Sequence, residues 1–102
     1  MKIKRIRKLK VNSVTFDVKW DNEIGGASFN YTERNITFGT YYNITDTELF
    51  EVICHELFEI VAVELMVRFK RPDCDTDYIF VFDHRQHTTM MNMFSSLLSQ
   101  FI

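Results

Sequence analysis

A chain of 102 residues, 46% apolar and 15% aromatic with ten Phe and one Pro, has enough for one packed core and is not the composition of a disordered segment. The formal charge of -2 offers no general attraction for a polyanion, and two cysteines do not make a disulfide framework. No apolar run is long enough and free enough of charge to span a membrane, and none follows the basic amino terminus as a secretion signal would. The expectation is therefore a single cytoplasmic domain over residues 1–102, with reduced thiols and no membrane partner.

Lys2, Lys4, Arg5, Arg7, Lys8 and Lys10 hold half of the twelve basic residues. Such an arm can touch nucleic acid, but Lys on an edge strand also blocks unwanted pairing, and the near-neutral chain favours that second reading; a nucleic-acid partner is not expected. Residues 13–20, SVTFDVKW, alternate: Val14, Phe16, Val18 and Trp20 face one way, and Ser13, Thr15, Asp17 and Lys19 the other. This is a half-buried strand, with residues 3–10 as its hairpin partner and the turn near Val11 and Asn12. A loop over 21–26 ends in Gly25 and Gly26. ASFNY and NITFG then read as two short strands around Thr32, Glu33 and Arg34.

Thr45 with Glu48 fits a capping box, and the helical pattern that follows runs to about Phe69, before Pro72. Residues 71–77 read as a polar turn and Tyr78 to Phe82 as a short strand. Asp83 with Gln86 repeats the capping pattern and opens a second helix to the carboxyl terminus, with Met91, Phe94, Leu98 and Phe101 as its apolar stripe. The order predicts an α+β fold: a small, mostly antiparallel sheet of two hairpins and a late strand, packed on a long helix and a carboxyl-terminal helix.

The long helix contains ICHELFEIVAVEL, residues 53–65. At about 100° per residue, Glu48, Glu51, His55 and Glu59 share one narrow stripe, with Glu56 at its edge and Glu64 opposite. His55 and Glu59, four apart, can grip one ion, and Glu56 projects where it could hold a water on that ion. The pattern is HExxE, one residue from the HExxH zinc helix. A carboxylate is a legitimate zinc ligand, though it weakens the Lewis acid and admits other divalent metals. A third ligand would come from FVFDHRQHTTM, where His84 lies in the first helical turn and His87, a turn before Met91, should point inward. Asp83 would cap the helix or orient a histidine. The competing reading is an ordinary solvated helix face, against which stand the patch's abrupt end at Ala62 and Met66 and the confinement of all three histidines to two segments.

Other clusters carry less. Cys54 reads as a small core residue and Asp73, Asp75 and Asp77 as a solvated turn lacking the glycine and distal glutamate of an EF-hand loop. Ser95, Ser96 and Ser99 have no base within reach by pattern, and Met90, Met91 and Met93 are core filler or an adaptable surface.

With HELFE on the helix, FDH after the last strand, and VNSVTFDVKW and SFNYTERNITFG before them, the chain resembles the short, often phage- or prophage-encoded zincin-like proteins. The resemblance covers most of the chain. It implies His55, Glu59 and His84 as metal ligands, His87 as a spare, Glu56 as general base, and zinc or another divalent ion as cofactor. The function this implies is metal-dependent hydrolysis, most plausibly of peptides by a metal-bound water. The departure at Glu59 opens an alternative: an inactive zincin-like binding or accessory protein with a peptide or protein partner.

Overall fold

The computed structural model describes residues 2–41 and 44–102. The chain runs β1 (Lys8–Val11), β2 (Val14–Asp21), β3 (Ala27–Asn30), β4 (Asn35–Gly39), α1 (Asp46–Glu64), β5 (Arg68–Arg71), β6 (Cys74–Phe80) and α2 (His84–Ser99). The α+β class and the small, mostly antiparallel sheet agree with the pattern read from the sequence. The strand alternation is the reason: Leu9, Val11, Phe16, Val18, Ile36 and Phe38 are buried on one face while their neighbours Lys8, Lys10, Thr15, Asp17 and Lys19 stay exposed.

The four-stranded sheet has the order β1-β2-β4-β3. β1 and β2 form the amino-terminal hairpin, with Asn12 at φ 56 in its two-residue turn, a conformation asparagine tolerates. β3 and β4 form the second hairpin, and β4 lies parallel to β2, so the sheet is mixed at its centre. At the end of β4, a Cβ on Gly39 would come within 2.4 Å of the Ile24 carbonyl oxygen, so this position holds the loop before β3 against the sheet only as glycine.

The two edges differ. The outer edge of β1 is covered by Gln100, whose side chain accepts from the Lys10 amide and donates to the Lys10 carbonyl, both at 2.9 Å. β3 forms the other edge and pairs with β4 alone. The Gly39 amide donates to the Gly26 carbonyl, which sets the phase of this antiparallel ladder. By alternation, the amides and carbonyls of Ala27 and Phe29 point away from β4.

α1 and α2 complete the core through Leu49, Ile53, Leu57, Ile60, Val61, Met90, Leu97 and Phe101. Thr45 caps α1, its hydroxyl accepting from the Glu48 amide, and the expected box at Asp83 and Gln86 has both its hydrogen bonds. Several boundaries differ from expectation: β1 begins at Lys8 and not at residue 3, and β6 ends at Phe80 and not at Phe82. α1 ends at Glu64, not Phe69, because Met66 turns to φ 59 and the Met66 and Val67 amides return to the Val63 and Ala62 carbonyls. The released segment becomes β5, and residues 74–77, expected as turn, belong to its partner β6. These two strands make a separate two-stranded sheet, so the late strand does not join the main one. The buried residues of α2 are Met90 and Leu97, each one residue before its expected counterpart, with Met91, Phe94 and Leu98 on the flanks and Phe101, just past the helix, buried as expected.

Candidate functional site

The HExxE helix face descends into the molecule as it runs along α1. Glu48 and Glu51 are exposed, the His55 side chain is 72% exposed, and then Glu59 keeps only 16% and Glu56 is 7% exposed. The change follows from the neighbours: β3 and β5 pack against α1, and Arg68 of β5 meets Glu59. A purely solvated helix face is therefore not what this stripe is.

His55, Glu56 and Glu59 meet in a recess of about 510 Å³, lined also by β3 and its extension over residues 27–31, and by Val63, Arg68 and Tyr78. A second recess of about 440 Å³, lined by Gly26, Ala27, Glu51, Val52, His55 and Glu56, shares Ala27, His55 and Glu56 with the first. Together they form one trench that follows the open edge of β3.

Arg68 dominates the inner end. Its Nε lies 2.9 Å from Glu59 Oε2, with both side chains more than four-fifths buried. The two atoms form an ion pair without an aligned hydrogen bond. The guanidinium sits 3.6 Å over the Tyr78 ring and 5.5 Å from the Phe29 ring, so one side chain ties α1 to the β5–β6 hairpin and to β3. The other Glu59 oxygen faces His55 Nε2 at 4.0 Å. Glu56, 7% exposed as a residue, has neither a hydrogen bond nor an ion pair to the other described residues, and its carboxyl oxygens keep contact with the recess. Burial pushes its carboxyl above the ordinary glutamate range; His55 opposes the shift, Glu59 adds to it and Arg68 opposes it.

The helix pair His55 and Glu59 is thus brought together with Glu56, as the spacing implied. The distal histidines are not. His84 and His87 occupy the exposed first turn of α2, where they stack on each other at 6.3 Å and His87 stacks on Phe82 at 6.2 Å. His87 does not point inward, because α2 overhangs the body until Met90, its first buried residue. Among the described residues no three His, Cys, Asp or Glu side chains are placed to hold a metal ion. Glu59 already answers a cation from the protein itself, Arg68, and neither distal histidine lies with His55 and Glu59.

Arg68 is the residue of this recess that the sequence does not announce. It was hidden because the apolar spacing of the helix continues through Val67 and Phe69. The available signal was the alternation of charge and aromatic ring in RFKR and DYIF, a strand pattern in which Arg68, Lys70, Tyr78 and Phe80 share one face. No protein-family model, no curated protein and no solved structure matches the chain.

Proposed function

We propose that this protein is a peptide-binding module of zincin-like build, which takes an extended segment of a partner along β3 and does not hydrolyse it. The observation that carries this reading is the trench beside an unpaired strand edge. Ala27 and Phe29 offer outward amides and carbonyls, and added strands bind through just such groups, with side-chain pockets giving specificity. At the opposite edge of this sheet Gln100 clasps Lys10, so β3 is the edge of the four-stranded sheet left open to an added strand. An accessory binding role suits the resemblance to phage and prophage zincin-like proteins.

The pairing of Glu59 with Arg68 favours binding over metal-dependent hydrolysis. One observation keeps hydrolysis as a second reading: His55 and Glu59 share a helix face with Glu56 beside them. Elemental analysis of untagged protein separates the two. About one equivalent of zinc or manganese, lost in His55→Ala, would favour the hydrolase; a metal-free protein that folds normally supports the binding module.

Strand addition itself is tested by backbone methylation. An extended peptide bound along β3 should lose affinity when the alternate amides that face β3 are N-methylated, and keep it when the other set is methylated. Equal tolerance of both sets would remove the reading.

A further inference from the structure

We infer that the trench selects partner segments carrying a lysine or arginine side chain, which enters beside β3 and lies against Glu56 with Glu51 at the rim. The inference rests on the strand-addition reading and adds the class of partner.

The charges in the trench do not cancel. Glu51, Glu56 and Glu59 line it, against one permanent cation, Arg68. Arg68 is committed to Glu59 and held between Tyr78 and Phe29. Glu56 and Glu51 remain, and His55, the other basic group lining the trench, turns most of its ring to solvent.

Glu56 is the second, independent observation. Glu56 is 7% exposed as a residue, and its carboxyl, without a partner among the described residues, opens on both recesses, an acceptor held ready for a donor. The folded chain supplies no donor to it among the described residues. A bound peptide can. Side chains on an added strand alternate between the trench and the outside, so every second residue is delivered toward the floor. An ammonium or guanidinium arriving there would make a charge-assisted hydrogen bond to Glu56. An acidic side chain would meet two carboxylates instead, and a neutral one would leave the charge unmatched.

The test uses three dye-labelled peptides of sequence Thr-Val-Thr-Ser-X-X-Ser-Thr-Val-Thr, with X as Lys, Gln or Glu. The repeated X ensures that one copy faces the trench in either parity. Fluorescence anisotropy with the full chain should show the Lys peptide binding about tenfold more tightly than the Gln peptide, the scale of one charge-assisted contact, and the Glu peptide most weakly. Glu56→Gln should reduce the Lys-over-Gln ratio several-fold. Glu23→Gln, an equal charge change on an exposed loop residue that lines neither recess, should preserve it. Far-UV circular dichroism checks that both variants fold.

Equal affinities for the three peptides, or a lysine preference that survives Glu56→Gln or is lost equally in Glu23→Gln, overturns the basic-side-chain inference while strand addition stands. If none of the peptides binds, strand addition falls and the inference falls with it.

Discussion

Glu56 shows how a single buried side chain links the candidate site to stability. Its carboxyl is desolvated, with His55, Glu59 and Arg68 close enough to bias it and Tyr78 and Glu51 on the trench walls. Because burial raises its pKa in the folded state, the folded chain holds this proton to higher pH than the unfolded chain does. In the window upward from the ordinary glutamate pKa the folded state binds more protons, so this group's contribution falls as pH rises and stays low at neutral pH. Glu56→Gln removes the ionisable group. It should stabilise the protein at pH 7 by on the order of 1 kcal/mol, with the gain shrinking toward pH 4. Urea denaturation at several pH values measures this, and a loss of stability at pH 7 would mean that the ionised carboxylate is satisfied in the fold.

Arg68 acts in the opposite sense. Removing it leaves Glu59 with a mostly buried, uncompensated charge, so Arg68→Ala should cost about 2–3 kcal/mol in urea denaturation. Arg68→Lys should recover less than half of that, because an ammonium lacks the planar face that lies on Tyr78. Full recovery by lysine would reduce Arg68 to a point charge. At this scale the sequence was legible where the signal was local: the spacing of His55, Glu56 and Glu59 along one helix is fixed by covalent geometry. Arg68 sits nine residues beyond Glu59 and meets it only because the chain reverses at Met66, a fact of tertiary structure.

At the level of elements, the reading was good wherever a terminus carried its own chemistry. Thr45 and Asp83 both accept the amide three residues on, but only Asp83 has the reciprocal bond of its box, the Glu48 carboxylate accepting from the Thr45 hydroxyl instead of its amide. The carboxyl end of α1 lacked such a mark. It closes in a Schellman-type turn with Met66 in the left-handed region, where glycine is the usual residue, and the apolar run carries on to Phe69. Met66 is 82% exposed, so its side chain contributes little packing in return. Met66→Gly should therefore raise stability by about 0.5–1 kcal/mol, the left-handed penalty less the added flexibility of glycine in the unfolded chain. A higher thermal midpoint with unchanged far-UV signal is the expected outcome. A lower midpoint would mean that the methionine side chain makes a contact outweighing its backbone strain.

For the whole molecule, local pattern predicted the two early hairpins but not how they join. The parallel pairing of Val18 with Ile36 and Trp20 with Phe38 is set by what the inner faces must share, and that is an aromatic cluster completed by the far end of the chain. Trp20 stacks on Phe38 at 4.9 Å, and Phe101 meets both edge-on at 6.3 and 5.8 Å. The Phe101 carbonyl accepts from the Lys4 amide at 2.7 Å, and the adjoining Gln100 clasps Lys10. The last turn thus fastens the amino-terminal strand and clasps its edge at Lys10, while the β3 edge pairs with β4 alone. Phe101→Ala should cost about 3–5 kcal/mol, the range for a fully buried phenylalanine, whereas Ile102→Ala, at a half-exposed position, should cost less than about 1 kcal/mol. If Phe101 also seats Gln100, its loss should uncover β1, and the variant should self-associate on gel filtration at concentrations where the parent chain does not. A variant destabilised to the same degree but unchanged in its elution would separate the two roles, leaving Phe101 as core packing and Gln100 as an independent clasp on the edge.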